Sequence, residues 1–360
     1  MIAGVEESVD GPVDEAVDVS VVVIGRNEGL RLTRCLESVR DADWAGLRHE
    51  VVYVDSHSTD GSTERARRLG ARVFDLGDAK PCAAAGRNIG WRAARAPLVL
   101  FLDGDTVLHP GFVQRARLLF ADPKLVAVWG HRRESNPGQS IYTRVLDLDW
   151  VFAPGRVDYF GGDALVRRAA LAQVGGFDDG LVAGEEPELC RRLRAVGWQI
   201  EHIDAPMTLH DLAIVDGRAW WKRAERAGLA YAQVAARFAG TQDPFWLREA
   251  RRNRIHARIL LALPLAALLL LALWPPAALL SLLALAAVWA RSTLRCVWKC
   301  PGDYGLAALY ALHSHLQQIP ILAGQRRWQR LQREQKAPEL MEYHRPVPPD
   351  KTSTPDRSES

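Results

Sequence analysis

From Ile259 to Ala290 the chain reads ILLALPLAALLLLALWPPAALLSLLALAAVWA, without a single charged residue. About 20 apolar residues suffice to cross a bilayer, so a run this long reads as membrane rather than core. As one straight helix it would reach ~48 Å at 1.5 Å per residue, against a hydrocarbon thickness of ~30 Å. Pro275-Pro276 breaks it near the middle. Basic residues flank both ends: Arg248, Arg251, Arg252, Arg254 and Arg258 before it, Arg291, Arg295 and Lys299 after it. With both flanks basic and the Trp-Pro-Pro turn uncharged, the positive-inside rule favours a helical hairpin whose ends both face the cytosol. Its arms are short, which leaves a re-entrant hairpin open. The next apolar stretch, Tyr304 to Gly324, carries His313, His315, Gln317 and Gln318 and reads as an interfacial helix. A membrane-associated helical region is therefore expected over 248–324.

The rest of the chain divides around that segment. Its first eighteen residues are acidic (Glu6, Glu7, Asp10, Asp14, Glu15, Asp18) and lack the basic and apolar regions of a signal peptide. Residues 1–17 are expected as a disordered tail, and residues 18–240 as a catalytic domain facing the cytosol at the cytoplasmic membrane. Past Lys336 the composition turns to Pro, Ser and charge, so 336–360 is expected to be disordered. The formal net charge of +3 is too small to argue for a nucleic-acid partner. The five cysteines, odd in number and scattered, suit a reducing compartment. Cys296 and Cys300 could share a helix face, but no second pair or histidine cluster completes a zinc site.

Within 18–240, apolar strands alternate with amphipathic helices. Val19–Ile24, Glu50–Val54, Arg72–Phe74 and Pro97–Leu102 read as strands, while Glu28–Val39 and Ser62–Leu69 have helical spacing. The alternation predicts an α/β fold around a parallel, doubly wound sheet. No Gly-x-Gly-x-x-Gly follows the first strand and no Walker Gly-Lys-Thr occurs, so dinucleotide and P-loop readings lose their main support.

The fourth strand runs through APLVLFL into Asp103-Gly104-Asp105. Ligands of open α/β sheets gather at such strand ends. Side chains at i and i+2 point the same way in extended chain, so the two carboxylates could converge on one hard cation. The alternative is an ordinary Asp-Gly turn. Neither a haloacid-dehalogenase-type phosphatase nor an EF-hand fits. The former carries Asp-x-Asp-Gly-Thr near its N-terminus, and the latter would need Gly and Glu where this chain has Leu108 and Gln114.

Four separated pieces now stand together: Gly25-Arg26-Asn27-Glu28 after the first strand, VDSHSTDGST from Val54 to Thr63, LDGDT from Leu102 to Thr106, and GGFDDGLVAGEEPELCRRLR from Gly175 to Arg194. In order and spacing they resemble the family 2 glycosyltransferases, which have the GT-A fold, over about Val19 to Tyr231. The resemblance implies that Asp55 contacts the nucleotide base, with Asn27 and Glu28 also at the donor. It implies that Asp103 and Asp105 hold Mg2+ or Mn2+ on the sugar-nucleotide diphosphate. The family's Glu-Asp pair, whose second member is the base candidate, aligns with Glu185-Glu186, a departure by one methylene. The chemistry agrees independently: a cation offsets charge on a departing diphosphate, and one carboxylate makes an acceptor hydroxyl nucleophilic.

Further residues join these. Arg87-Asn88, after a small-residue loop, suit a phosphate contact. His210 falls where related GT-A enzymes often place a metal-ligating histidine. Gly162 and Asp163 would border the acceptor, the glycine allowing close backbone approach. Trp220-Trp221-Lys222-Arg223 suit a membrane interface, a sugar face or, for one tryptophan, core packing. Processive family members carry Gln-x-x-Arg-Trp; Gln325-Arg326-Arg327-Trp328 is one residue short and lies after the hydrophobic run. The expected function is single, inverting, metal-dependent transfer from a nucleotide-sugar donor to a lipid-linked or cell-envelope glycan acceptor. A nucleotidyltransferase of related fold and a membrane-anchored, non-catalytic sugar-binding protein are the alternatives.

Overall fold

The computed structural model describes residues 16–242 and 244–338, so the disorder expected over 1–15 and 339–360 lies outside the described residues. The first half alternates as its apolar pattern requires: β1 (Val19–Gly25), α1 (Leu30–Arg40), β2 (His49–Asp55), α2 (Ser62–Arg68), β3 (Arg72–Asp75), α3 (Ala83–Ala93) and β4 (Leu98–Asp103). Then follow β5 (Thr106–Leu108), α4 (Phe112–Leu119), β6 (Leu125–Glu134), α5 (Ile141–Leu146), a 3-10 turn (Asp147–Trp150), β7 (Gly155–Val157), β8 (Ala164–Arg167), α6 (Arg168–Val174), α7 (Glu185–Ala195) and β9 (Gln199–His210).

Valine-rich β1 pairs in parallel with β2 on one side and β4 on the other, and its valines are fully buried. A strand enclosed on both faces tolerates only apolar side chains, hence the unbroken run. The sheet order is β3-β2-β1-β4-β8-β6-β9-β5, with β7 on β9. β3, β2, β1 and β4 run parallel, and β8 enters antiparallel to β4. The chain moves outward from β1 to β3, then crosses back to place β4 on the other flank of β1. That reversal opens a crevice beyond the C-terminal ends of β1 and β4, where Ile24 is level with Asp103. Helix α3 lies close against β1 because Gly86 faces Ile24 and Gly90 faces Val22. A Cβ on Gly90 would collide with Val22.

The C-terminal region is helical: α8 (Gly217–Arg237), α9 (Leu247–Leu273), α10 (Pro275–Cys296), α11 (Tyr304–Leu316) and α12 (Gln318–Arg333). α9 and α10 form the hairpin, turning at Trp274, with Pro275 and Pro276 opening α10 where missing N–H groups cost nothing. Both are long and apolar enough to cross a membrane, and their leucines stand exposed. The stretch expected as one interfacial helix differs: it breaks at Gln317 into α11 and α12, and both pack on protein. α12 crosses α8 where Gly324 meets the carbonyl of Glu225 and Gly228 meets that of Ile321, too close for any side chain. Gln325 is fully buried and donates to the carbonyl of Ala250, while Trp328 packs near Val182 and Leu229. α11 is tied to the α/β part of the chain and to α8: the Tyr310 hydroxyl donates to Asp149 (3.0 Å), the Trp220 indole donates to His313 (3.0 Å), and Lys299, just before α11, reaches the carbonyl of Leu148 (2.7 Å).

Candidate active site

The crevice holds a cleft of about 290 Å3 bordered by Glu28, Arg87, Asp103, Asp105, Gly162, Glu185, Glu186 and His210 among others. Asp103 ends β4. The next residues form a tight link into β5, with the Gly104 amide donating to Ile24 and the Thr106 hydroxyl to the Asp103 carbonyl. The Asp-Gly turn and the paired carboxylates are thus one feature. β5 pairs antiparallel with the end of β9, level at Thr106 and His210, and this brings His210 Nε2 to 3.2 Å from Asp105 Oδ2.

Arg87 organises the opposite wall. Its guanidinium, fully buried on α3, donates to Asp103 (2.8 Å) and Glu185 (2.9 Å) and forms an ion pair with Glu186 (3.0 Å). Burial alone would lower its pKa, but Glu186, Asp103 and Glu185 outweigh that and raise it, so Arg87 stays charged. A second buried arginine, Arg132 of β6, meets the other oxygen of Asp103 at 3.2 Å and lies 3.4 Å from Asp163. Burial pushes Asp103 upward, yet Arg87 and Arg132 together hold it below the usual carboxylate range. Gly162 lies against this knot. A Cβ there would sit 2.5 Å from Asp103 and 3.1 Å from each guanidinium, so only glycine fits.

Two carboxyls in the cleft titrate high. Burial, with Glu185 beside it, lifts Glu186 to about 7 against the pull of Arg87. Burial and then Asp105 lift Glu28 to about 8, although Arg31 pairs with it at 2.7 Å.

Other expected residues lie around the cleft as supports. Asp163 is buried, accepting from the Asp103 amide (3.0 Å) and the Thr208 hydroxyl (2.7 Å). Asp55 points inward, accepting from the Tyr53 hydroxyl and the Ser58 amide. Asn27, at positive φ, accepts from the Thr59 amide and so pins the loop after β1 to the loop after β2. Asn88 joins α3 to the loop before α7, donating to the Phe177 carbonyl and accepting from its amide. Arg87 and Asn88 therefore sit mid-helix rather than at its start, Asn88 bonded to the Phe177 backbone and Arg87 at the cleft wall among carboxylates. Arg223, from the Trp220–Arg223 stretch read as suiting a membrane interface or a sugar face, borders the cleft, as do Arg132, Trp150 and Arg226, which the sequence did not single out. Of these three only Arg132 left a signal, a charged residue on the inward alternation of an apolar strand.

Among the described residues no three His, Cys, Asp or Glu side chains form a ready metal cluster. The donors nonetheless fit Mg2+ or Mn2+. Asp105 and His210 offer an oxygen and a nitrogen side by side, Asp103 shares the cleft, and a diphosphate would add the further oxygens that such a cation takes.

A family model described as glycosyl transferase family 2 matches residues 20–175, and one described as glycosyl transferase family group 2 matches residues 98–298. The chain is 31% identical over 245 residues to the pre-mycofactocin glycosyltransferase of Mycobacterium tuberculosis, covering 63% of this chain and 49% of that one. It is also 31% identical over 191 residues to the glycosyltransferase AglE of Haloferax volcanii, covering 51% and 63%. The chain thus spans about half the length of the mycobacterial relative. Among solved structures, the mannosyltransferase PcManGT from Pyrobaculum calidifontis, in complex with GDP-Man and Mn2+, superposes with a TM-score of 0.59 at 23% identity, covering 83% of this chain and 89% of that one. The likeness supports the GT-A fold expected from the sequence.

Arg87→Met should leave three carboxylates facing one another in a buried space and cost about 3 to 5 kcal/mol of stability at pH 7. Without the cation Asp103 loses a partner that holds its carboxyl low and Glu186 rises further, so the variant should regain stability relative to wild type as the pH falls from 8 toward 5. Thermal melts of both proteins across that range check this; parallel curves would sink the account.

Proposed function

The chain belongs to glycosyltransferase family 2, and from that membership we propose that it moves one sugar, with inversion, from a nucleoside-diphosphate sugar to a lipid-linked or cell-envelope glycan acceptor. The observation that carries the reading is Glu186. This carboxylate borders the same cleft as the Asp105–His210 pair and has its pKa lifted to about 7, near the optimum for a general base. Glu186 takes the proton of an acceptor hydroxyl. The freed oxygen attacks the anomeric carbon from the face opposite the diphosphate, so the new C–O bond forms as the bond to the leaving group breaks. Arg87 holds Glu186 toward the cleft and keeps it ionisable near neutrality. Glu185, the more deeply buried of the two, anchors Arg87. Asp103, fixed between Arg87 and Arg132, lines up Asp105 and His210 for Mg2+ or Mn2+. That cation, when bound, supplies positive charge against the charge developing on the departing diphosphate.

Full-length protein incubated with a panel of nucleotide sugars and Mn2+ should release nucleoside diphosphate slowly from its donor. Glu186→Gln should keep donor affinity and lower turnover about 100- to 10,000-fold, while Glu185→Gln should act more on affinity. The base works deprotonated, so kcat/KM should rise with pH to a plateau, with its midpoint near the Glu186 value of about 7. Undiminished turnover in both variants would remove this loop from the mechanism. Chelation should stop the reaction and Asp105→Ala should lower it by orders of magnitude. Wild-type rates in chelator would overturn the metal role.

The same reading places the catalytic domain on the cytosolic face of the cytoplasmic membrane, with the α9–α10 hairpin in the bilayer. Its uncharged arms, 259–273 and 275–290, measure about 22 and 24 Å at 1.5 Å per residue, short for a ~30 Å core. Basic residues lie beyond both ends of this pair. Single cysteines replacing Thr241 and Gln335 in a cysteine-free background should both resist an impermeant maleimide in intact cells and both react after permeabilisation. Labelling of the Gln335 site from outside would exclude the hairpin.

A further inference from the structure

The cleft is bordered by Arg26, Arg87, Arg132, Arg223 and Arg226. Arg87 and Arg132 are committed to the carboxylates of the catalytic knot. Arg26 follows β1 and borders the cleft with Ser56. Arg223 and Arg226 come from a different direction, three residues apart and so on one face of α8. Arg226 donates to the carbonyl of Val182 (3.2 Å), in the loop that leads into Glu185-Glu186. Arg223 pairs at 3.2 Å with Asp149, next to Trp150. The pair therefore links the loop that leads into Glu186 to the turn that carries Trp150. Trp150 borders the cleft with its face on Arg132, 4.5 Å from the guanidinium to the ring centre. Its indole nitrogen is buried and meets no acceptor among the described residues.

α8 also joins the cleft to the root of the hairpin. It crosses α12 at Gly228 and Gly324, its Trp220 bonds His313 of α11, and the Asp149 that takes Arg223 also takes the Tyr310 hydroxyl of α11. Along these contacts come α11 and α12 beside the hairpin, then Arg223 and Arg226 with Asp149 and Trp150, then the cleft that Glu186 borders. A lipid-linked saccharide has the same order of groups: hydrocarbon chain, phosphate or diphosphate ester, sugar ring, reacting hydroxyl. We propose that Arg223 and Arg226 form an acceptor subsite for the phosphate or diphosphate that joins a sugar to its lipid, with Trp150 as the platform for that sugar. Planar guanidinium groups suit such an ester because they bind phosphate oxygens in pairs. An aromatic ring with a spare N–H suits a sugar face and its hydroxyls. This inference rests on the assignment of Glu186 as the base.

The test uses full-length protein in nanodiscs and four probes: farnesyl diphosphate, farnesol, inorganic diphosphate, and GDP or UDP. Wild type should bind farnesyl diphosphate about tenfold or more tighter than either farnesol or inorganic diphosphate, the worth of one or two charge-assisted hydrogen bonds. The Arg223→Ala/Arg226→Ala double variant should lose that margin while nucleotide affinity stays within about twofold, well under the 1.4 kcal/mol of a tenfold change. The corresponding double lysine variant should recover part of the margin, which separates loss of charge from loss of fold. Unchanged farnesyl diphosphate affinity in the alanine variant would overturn the proposal. Loss of nucleotide affinity there would assign the arginines to the donor and overturn it too. Inorganic diphosphate binding as tightly as the farnesyl ester would mark a site for free anions and overturn the lipid acceptor. Failure of the glycosyltransferase reading would show separately, as no donor turnover with any nucleotide sugar while the lipid probe still binds.

Discussion

A buried guanidinium holds the candidate site together. Arg87 lies inside the protein and touches Asp103 from one strand end and Glu185 and Glu186 from a helix start almost a hundred residues later in the chain. Taking such a cation out of water is expensive, and the cost is met only because several carboxylates surround it. The dependence runs both ways. Without Arg87 the carboxylates would repel one another, and without them α3 could not keep an arginine at this depth. The position itself depends on Gly86 and Gly90, which let α3 press onto β1 and deliver Arg87 beneath the strand ends.

Charge balance then separates the roles of the acidic residues. Asp103 is enclosed by two arginines and braced from behind by the Asp163 carboxylate, which accepts its backbone N–H. Asp105, two residues on, is held beside an imidazole instead. Neighbouring carboxylates in one tight turn thus acquire different surroundings because one faces α3 and β6 and the other faces β9. The glutamates divide similarly: both contact Arg87, but Glu186 is the one whose burial and neighbour lift its pKa toward neutrality.

Much of the sheet was legible because strands enclosed on both faces must be apolar throughout; the runs at Val19, Glu50 and Pro97 lie within one or two residues of β1, β2 and β4. The Asp103–Asp105 turn and the glutamate pair were legible as polar residues placed where such strands and helices end. Arg87 and Asn88 were visible as residues but their direction was not. Their partners, Glu185 and Phe177, lie far along the chain, and α3 begins early enough to turn both inward. Trp150 and Arg226 were hidden for the same reason, and Arg223 was visible only as part of an aromatic and basic stretch: only the fold sets the 3-10 turn and α8 beside the cleft. The break at Gln317 escaped because the close packing of α12 on α8, at Gly324 and Gly228, joins residues far apart in the chain.

The crossing of α8 and α12 leaves no room for slippage, since backbone meets backbone at Gly228 and Gly324. With the hairpin in a bilayer, that crossing sets the height of the cleft above the lipid surface. On the proposed function the protein would then work as a gauge of reach: a lipid-borne hydroxyl would be usable when its distance from the headgroup plane equals the rise from the hairpin root to Glu186. Acceptors would be sorted by their length as well as by the sugars they display.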